Sequence, residues 1–241
     1  MAKKKKVYKD INDIMQDDKI EFDTTVELNL LQLTRKDLQK RYFYRFFKRS
    51  FDIIFSLTVL IIMSLPMSII AVCIKCTDGG SVFFKQDRVG GHGEIFKMIK
   101  FRSMCVDAEQ KLEELKDLNE AQGLLFKMKN DPRVTKIGKF IRKTSLDEFP
   151  QFFNVLTGHM SVVGPRPPLV SEVKLYNLYQ KQRLIVNPGI TCYWQVSGRS
   201  NIGFNEMVKL DIQYIKERGL WTDFKVICKT IPAVLSHKGA E

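Results

Sequence analysis

Histidine is scarce in this 241-residue chain: His92, His159 and His237 stand far apart, each with a structural or exposed setting as its plainest reading. The five cysteines, Cys73, Cys76, Cys105, Cys192 and Cys228, are odd in number and irregularly spaced. That excludes a disulfide framework by pattern. Cys73 and Cys76 form one CxxC, but a zinc site needs a second ligand pair, and none follows. The pair reads instead as small buried or lipid-facing residues in a reducing compartment. There is no GxxxxGK[ST] phosphate loop, no GxSxG and no kinase signature set. No DNA- or RNA-binding module is recognisable either, so the reading assigns no nucleic-acid partner. The Lys3–Lys6 cluster is not followed closely by an apolar stretch with a small-residue cleavage site, so no signal peptide is read. Internal repeats are absent.

Acidic residues are also in deficit. Basic residues number 39 against 27 acidic ones, a net charge of +12. Such a balance suits an anionic partner: nucleic acid, an anionic membrane surface or a phosphorylated substrate. Composition does not choose among the three. At 44% hydrophobic residues the chain can bury a core, which excludes wholesale disorder.

The most informative absence is local. The 22 residues between Asp52 and Lys75 carry no charge. About 20 apolar residues suffice to cross a bilayer as a helix. Both flanks are basic, however: Lys40, Arg41, Arg45, Lys48 and Arg49 precede the run, and Lys75, Lys85 and Arg88 follow it. A spanning helix should have one flank depleted of Lys and Arg. Pro66 lies just past the middle of the run, where it removes a helix hydrogen bond and bends the helix. Ser64 can bond a freed backbone group. The expectation is a re-entrant hairpin with both ends on one side of the membrane. Before it, Arg41–Arg49 reads RYFYRFFKR, a mixture of aromatic and basic side chains suited to the membrane–water interface.

The chain divides into three parts by composition: a polar extension over 1–40, an interfacial segment with the apolar run over 41–75, and a domain of soluble character over 76–241 that holds the candidate catalytic residues. The expected fold is α+β, a helix-rich domain with a small β component. Strands are expected over 81–84 and 94–99, joined through Gly90–Gly93. Helical patterns cover 107–128, 135–156, 170–186, 205–217 and 223–235, the last interrupted by Pro232. Asn130-Asp131-Pro132 and Asn187-Pro188-Gly189 read as breaks.

Four constellations can carry chemistry. In Arg142-Lys143-Thr144-Ser145-Leu146-Asp147-Glu148-Phe149-Pro150, adjacent carboxylates sit beside cations. Ser145 and Glu148 match a helix capping box, but Pro150 then falls beyond the first turn, where its missing N–H matters. The functional alternative is a carboxylate nucleophile or magnesium ligand, kept ionised by its neighbours. Both readings stand on spacing alone. The second is Gly164-Pro165-Arg166-Pro167-Pro168, a stiff segment presenting one guanidinium, suited to a diphosphate or, alternatively, to a proline-recognising domain. The third, Lys97–Met104, offers Lys97, Lys100 and Arg102 to an anion or to solvent. The fourth is the polar turn Trp194–Ser200 with Arg199.

Taken in order, the segments KRSFDIIFS, the proline-broken run, VFFKQDRVG, FKMIKFRSM, NDPRVTKIGKFIRKTSLDEFPQFFNVLTGHMSVVGPRPPL, NPGIT and WQVSGRS resemble the monotopic phosphoglycosyl transferases. These are bacterial sugar transferases that initiate exopolysaccharide, capsule and O-antigen assembly. The resemblance covers about Lys48–Leu235. It implies a re-entrant helix, broken at Ser64 and Pro66, on the cytoplasmic face of the bacterial inner membrane. It implies an Asp147–Glu148 dyad, with Asp147 as nucleophile and ligand of Mg2+. Arg142, Lys100, Arg102, Arg199 and the Pro165-Arg166-Pro167 segment fall on substrate-binding positions. The implied substrates are a UDP-sugar and undecaprenyl phosphate, and the WQVSGRS variant suggests glucose or galactose. A homodimer is compatible with the resemblance. Two departures appear: Leu65 precedes the helix-breaking proline where family members often carry serine, and Cys192 replaces a glycine. Two other functions compete: a membrane-attached glycosyltransferase releasing UDP, and a non-enzymatic basic membrane adaptor.

Overall fold

A computed structural model describes residues 42–108, 110–111, 128, 131–197 and 202–235. The 1–40 extension, most of the expected 107–128 helix and Arg199 lie outside the described residues. The rest is α+β, as expected. It is rich in helices and has two small two-stranded sheets.

The uncharged run forms a broken helix pair, α1 (Tyr42–Ile62) and α2 (Ser64–Asp78), bent by 62°. Pro66 has no N–H to offer the preceding turn. At the break Ser64 Oγ donates to the carbonyl of Ile61 at 2.8 Å, a backbone acceptor next to the Ile62 carbonyl that Pro66 leaves without its usual donor. No single described helix is long and apolar enough to cross a membrane; the bent pair together meets that test. Around the bend Ile61, Ile62 and Leu65 are exposed.

Both ends of the pair dock on the same body. At the base of α1 the charged residues of KRSFD meet backbone groups of the domain. Arg49 donates to the carbonyls of Val155 and Leu156, at 2.6 and 2.7 Å. Those carbonyls end α4 (Gln151–Leu156), where the negative end of the helix dipole favours a cation. Asp52, 3% exposed, accepts from Val162 N at 3.0 Å. Lys48 bridges the Val163 carbonyl and Asp223. At the far end, Ile70 and Ile74 of α2 bury against Phe101 and Ile141, and Arg102 pairs with Asp78.

The main core lies between α1, α4 and the C-terminal helices α8 (Phe204–Glu217) and α9 (Leu220–Leu235). Phe152, Val155, Met160, Val208, Ile212 and Ile215 fill it, and Phe55 and Val59 of α1 pack against it. Asp223 ties the three long helices together: it accepts from Tyr44 and Lys48 of α1 and Tyr214 of α8.

The expected hairpin is present but longer. Strands β1 (Phe83–Val89) and β2 (Ile95–Phe101) pair antiparallel, from Phe83 opposite Phe101 to Val89 opposite Ile95. The expected 135–156 helix is three pieces: α3 (Lys136–Lys143), a 3-10 turn at Leu146–Glu148, and α4. Pro150 stands at the entry to α4, where its missing N–H is no loss. A second, parallel pair joins β3 (Ser161–Val163) to β4 (Gly189–Thr191). The expected 170–186 helix breaks into α5 (Val170–Val173), α6 (Leu178–Lys181) and a 3-10 turn over Gln182–Ile185. A short helix α7 (Tyr193–Ser197) follows β4.

Candidate active site

The two carboxylates of the dyad sit in the connector between α3 and α4, not inside a helix. Ser145 adopts a left-handed conformation, φ 56°, and its side chain caps nothing. The capping box drawn from Ser145 and Glu148 therefore does not form. The chain instead turns sharply so that Leu146 faces the core with Ile141 and Phe101 while the next two residues face the hairpin. A non-glycine residue held at positive φ is strained, and such strain collects at functional sites.

Three contacts fix the surroundings. The Asn154 side chain on α4 reads the backbone of β2, donating to Lys97 O at 2.8 Å and accepting from Ile99 N at 2.9 Å. This docks α4 beside β2 and delivers Lys100 to the dyad. Lys100 Nζ lies 2.6 Å from Glu148 Oε1 and 3.9 Å from Asp147 Oδ2. On the other side, Arg142 Nε donates to Ser103 Oγ at 2.8 Å. That approach requires a glycine at 138, because a Cβ there would stand 1.9 Å from Ser103 O.

Asp147 is 13% exposed at its side chain, against 31% for Glu148. Burial raises its pKa to about 6, with repulsion from Glu148 adding to the shift and Lys100 and Arg142 opposing it. Burial also lowers the Arg142 pKa, and Asp147 and Asp131 offset part of that. The roles of the two carboxylates thus diverge. Glu148 holds the ammonium of Lys100, while Asp147 is desolvated and more loosely engaged.

Next to the dyad opens a small, solvent-open cleft lined by Arg88, Met98, Lys100, Glu148, Gln151, Arg166, Pro167, Gly189, Ile190 and Gln195. Asp147 is not itself in the lining; it lies beside it, across the Lys100 ammonium. The Pro165-Arg166-Pro167 segment leaves β3 and is clamped on both sides. Gly189 N donates to Pro165 O at 2.8 Å, and Val89 N donates to Pro168 O at 3.0 Å. Behind it the buried Arg183, ion-paired with Asp211, donates to the Arg166 carbonyl at 3.2 Å. Burial in turn raises the Asp211 pKa to about 6, although Arg183 opposes the shift.

The structure therefore gathers Lys100, Glu148, Arg166 and Pro167 around one opening, with Asp147 and Arg142 adjoining. Arg102 points elsewhere, to Asp78 at the end of α2. Arg88, Gln151 and Gln195 were not singled out from the sequence as site residues. Arg88 lies within VFFKQDRVG, Gln151 within the segment that holds the dyad and Gln195 within WQVSGRS, so each falls in a segment that carries the resemblance, but residue type did not mark them. Cys192 is buried and donates to Gln195 Oε1 at 3.2 Å, which ties that unusual thiol to a residue of the cleft. Burial pushes the thiol well above its usual pKa.

If Asp147 serves as a nucleophile it must be ionised to attack, and burial holds its pKa up at about 6. The acid limb of kcat/KM should therefore lie near pH 6, above the ordinary aspartate range near 4. A pH–rate profile checks this. A limb near 4 would show that desolvation does not govern the working carboxylate.

A family model described as bacterial sugar transferase matches residues 43–237. Galactosyl transferase CpsE of Streptococcus agalactiae is 51% identical over 202 residues, which are 83% of this chain and 45% of that protein. The undecaprenyl-phosphate galactose phosphotransferase of Salmonella typhimurium is 44% identical over 218 residues, 89% of this chain and 45% of that one. The exopolysaccharide production protein ExoY of Rhizobium meliloti is 41% identical over 197 residues, 80% of this chain and 87% of that protein. The chain thus spans less than half the length of the first two relatives and most of the third. The model's match runs through the bent helix pair, the hairpin, the dyad and the clamped proline segment, so the chain belongs to the bacterial sugar transferase family.

Proposed function

We propose that the chain transfers a hexose 1-phosphate, of glucose or galactose, from a UDP-sugar to undecaprenyl phosphate and releases UMP, initiating a repeat unit of exopolysaccharide, capsule or O-antigen. The observation that carries this reading is Asp147: a desolvated carboxylate beside a lysine and an arginine, next to a cleft that holds two further guanidiniums. The names of relatives point the same way, toward undecaprenyl-phosphate galactose phosphotransferase and UDP-glucose:undecaprenyl-phosphate glucose-1-phosphate transferase.

In the proposed chemistry the Asp147 carboxylate attacks the phosphorus that bears the sugar. The bond from that phosphorus to the bridging oxygen breaks, and UMP leaves with the electron pair. An oxygen of undecaprenyl phosphate then attacks the same phosphorus. The bond to Asp147 breaks, and the carboxylate is regenerated. Covalent catalysis divides one difficult transfer into two. Lys100 holds Glu148 and faces the same phosphoryl group, while Arg166, fixed by its clamped backbone, binds phosphoryl oxygens with little entropy left to lose.

The dyad fits magnesium. Two neighbouring carboxylates are the usual protein share of a Mg2+ site, with phosphate oxygens and waters supplying the rest. Among the described residues no group of three or more His, Cys, Asp and Glu could hold a metal ion by itself, so most of a magnesium shell would have to come from phosphates and water. Bound by Asp147 and Glu148, magnesium would offset charge on the transferring phosphoryl group.

The bent helix pair belongs to the same reading. Its two ends meet one body while the apolar bend projects away from it. This suits a re-entrant anchor on the cytoplasmic face of the inner membrane, which sets the dyad near the lipid phosphate. Single cysteines at Tyr42 and Lys75 should both react only from the cytoplasmic side; reaction of either from outside contradicts the hairpin. The reaction class is tested by nucleotide release from the purified chain given a UDP-hexose panel, magnesium and undecaprenyl phosphate. UMP released with glucose or galactose donors is expected. Release of UDP would mean transfer of the sugar alone, and release of neither would favour a non-enzymatic role.

A further inference from the structure

Arg88 lies near the end of β1, is 8% exposed, and contributes to the cleft lining. A guanidinium has five N–H donors. Three hydrogen bonds use them here, all to neutral acceptors: Nε and Nη2 to Gln86 Oε1 at 3.1 and 2.7 Å, and Nη1 to Pro167 O at 3.0 Å. One N–H on each terminal nitrogen is left over. Among the described residues no carboxylate is within ion-pair distance of Arg88. Burial lowers the Arg88 pKa to about 10; the like charge of Arg166 adds to that shift, and Glu172, Tyr176 and Glu148 oppose it from beyond ion-pair distance. The side chain is still cationic at neutral pH.

A buried cation with neutral acceptors and a like-charged neighbour is costly to fold. An anion in the cleft would remove that cost. The Pro167 bond also ties Arg88 to the very segment that carries Arg166. We propose that Arg88 is a phosphate-binding residue which, together with Arg166, forms a two-guanidinium seat for the diphosphate of the nucleotide donor. A diphosphate presents charge on two adjacent phosphoryl groups and so engages both cations, whereas a lipid monophosphate needs one. The neutral amides of Gln151 and Gln195 in the same lining suit the hydroxyl-bearing remainder of such a donor. The assignment rests on the UDP-sugar reading given above.

The test is calorimetric titration of the full chain in lipid nanodiscs with UDP and, separately, with undecaprenyl phosphate. Arg88→Gln keeps hydrogen-bonding groups but removes the charge. UDP affinity should fall about 10- to 100-fold, with a flatter dependence on salt and unchanged affinity for undecaprenyl phosphate. Arg88→Lys should restore part of the loss. Unaltered UDP binding in Arg88→Gln overturns the proposal. So does a loss confined to the lipid phosphate, which would give Arg88 to the acceptor. A loss of UDP affinity with the parent salt dependence, unrepaired by lysine, would make Arg88 a structural clamp on Pro167 only. If the parent chain itself fails to bind UDP, the donor reading falls and this assignment falls with it.

Discussion

Asp147→Asn should leave transfer at least about 10⁴-fold below the parent rate. The substitution keeps the shape of the side chain and removes the oxygen nucleophile. It leaves the supporting contacts in place: Lys100 stays 2.6 Å from Glu148, and Arg142 stays on Ser103. Because burial disfavours the charged form of Asp147, a neutral amide there should not unfold the site. Loss of activity with an unchanged unfolding temperature is the expected pair of results, read from UMP release and a thermal melt. Activity within tenfold of the parent would remove Asp147 as nucleophile. Glu148→Gln should behave differently. It weakens the hold on Lys100, so transfer should fall without vanishing.

Gly189→Ala should have a large effect on folding, about 3 kcal/mol or more of lost stability, or roughly 10 °C in Tm. A Cβ at 189 would stand 2.0 Å from Gly164 N and 2.7 Å from both Gly164 Cα and O. All three are backbone atoms, so no side chain can rotate away. The strands β3 and β4 would have to part, and with them the bonds from Gly164 N to Thr191 O and from Gly189 N to Pro165 O. The second of these clamps the segment that presents Arg166. Surviving enzyme should therefore show a raised KM for the UDP-sugar as well as a lower melting point. An unchanged melt would mean that the parallel pair opens at little cost.

The sequence was most legible where one signal dominates. The charge-free run with Pro66 predicts a broken apolar helix, and the bend appears, with Ser64 bonded to the Ile61 carbonyl. The β1–β2 hairpin was visible because its apolar residues lie between glycine-rich turns. The parallel pair β3–β4 was not, since each strand has only three residues and 25 residues lie between them. Three-residue strands carry no period to read. The helix expected over 135–156 failed for a related reason. Its composition is helical throughout, but Ser145 takes a left-handed turn and Pro150 starts a new helix, so tertiary packing overrode propensity. The dyad was found by residue type and resemblance, while its geometry depends on Asn154 and Gly138, whose roles appear only once β2 and α3 are in place. Lys100 and Arg102, two residues apart on the same segment, looked alike as basic residues. One reaches the dyad and the other pins α2.

The central claim is that Asp147 carries the sugar phosphate between donor and acceptor. The most direct measurement is to incubate the full chain with a UDP-sugar labelled in the phosphate next to the sugar, without undecaprenyl phosphate, quench in acid and map the labelled peptide. The account predicts one equivalent of label on Asp147, discharged when undecaprenyl phosphate is added. Label on Glu148, or UMP release in step with acceptor but with no labelled protein, would contradict it.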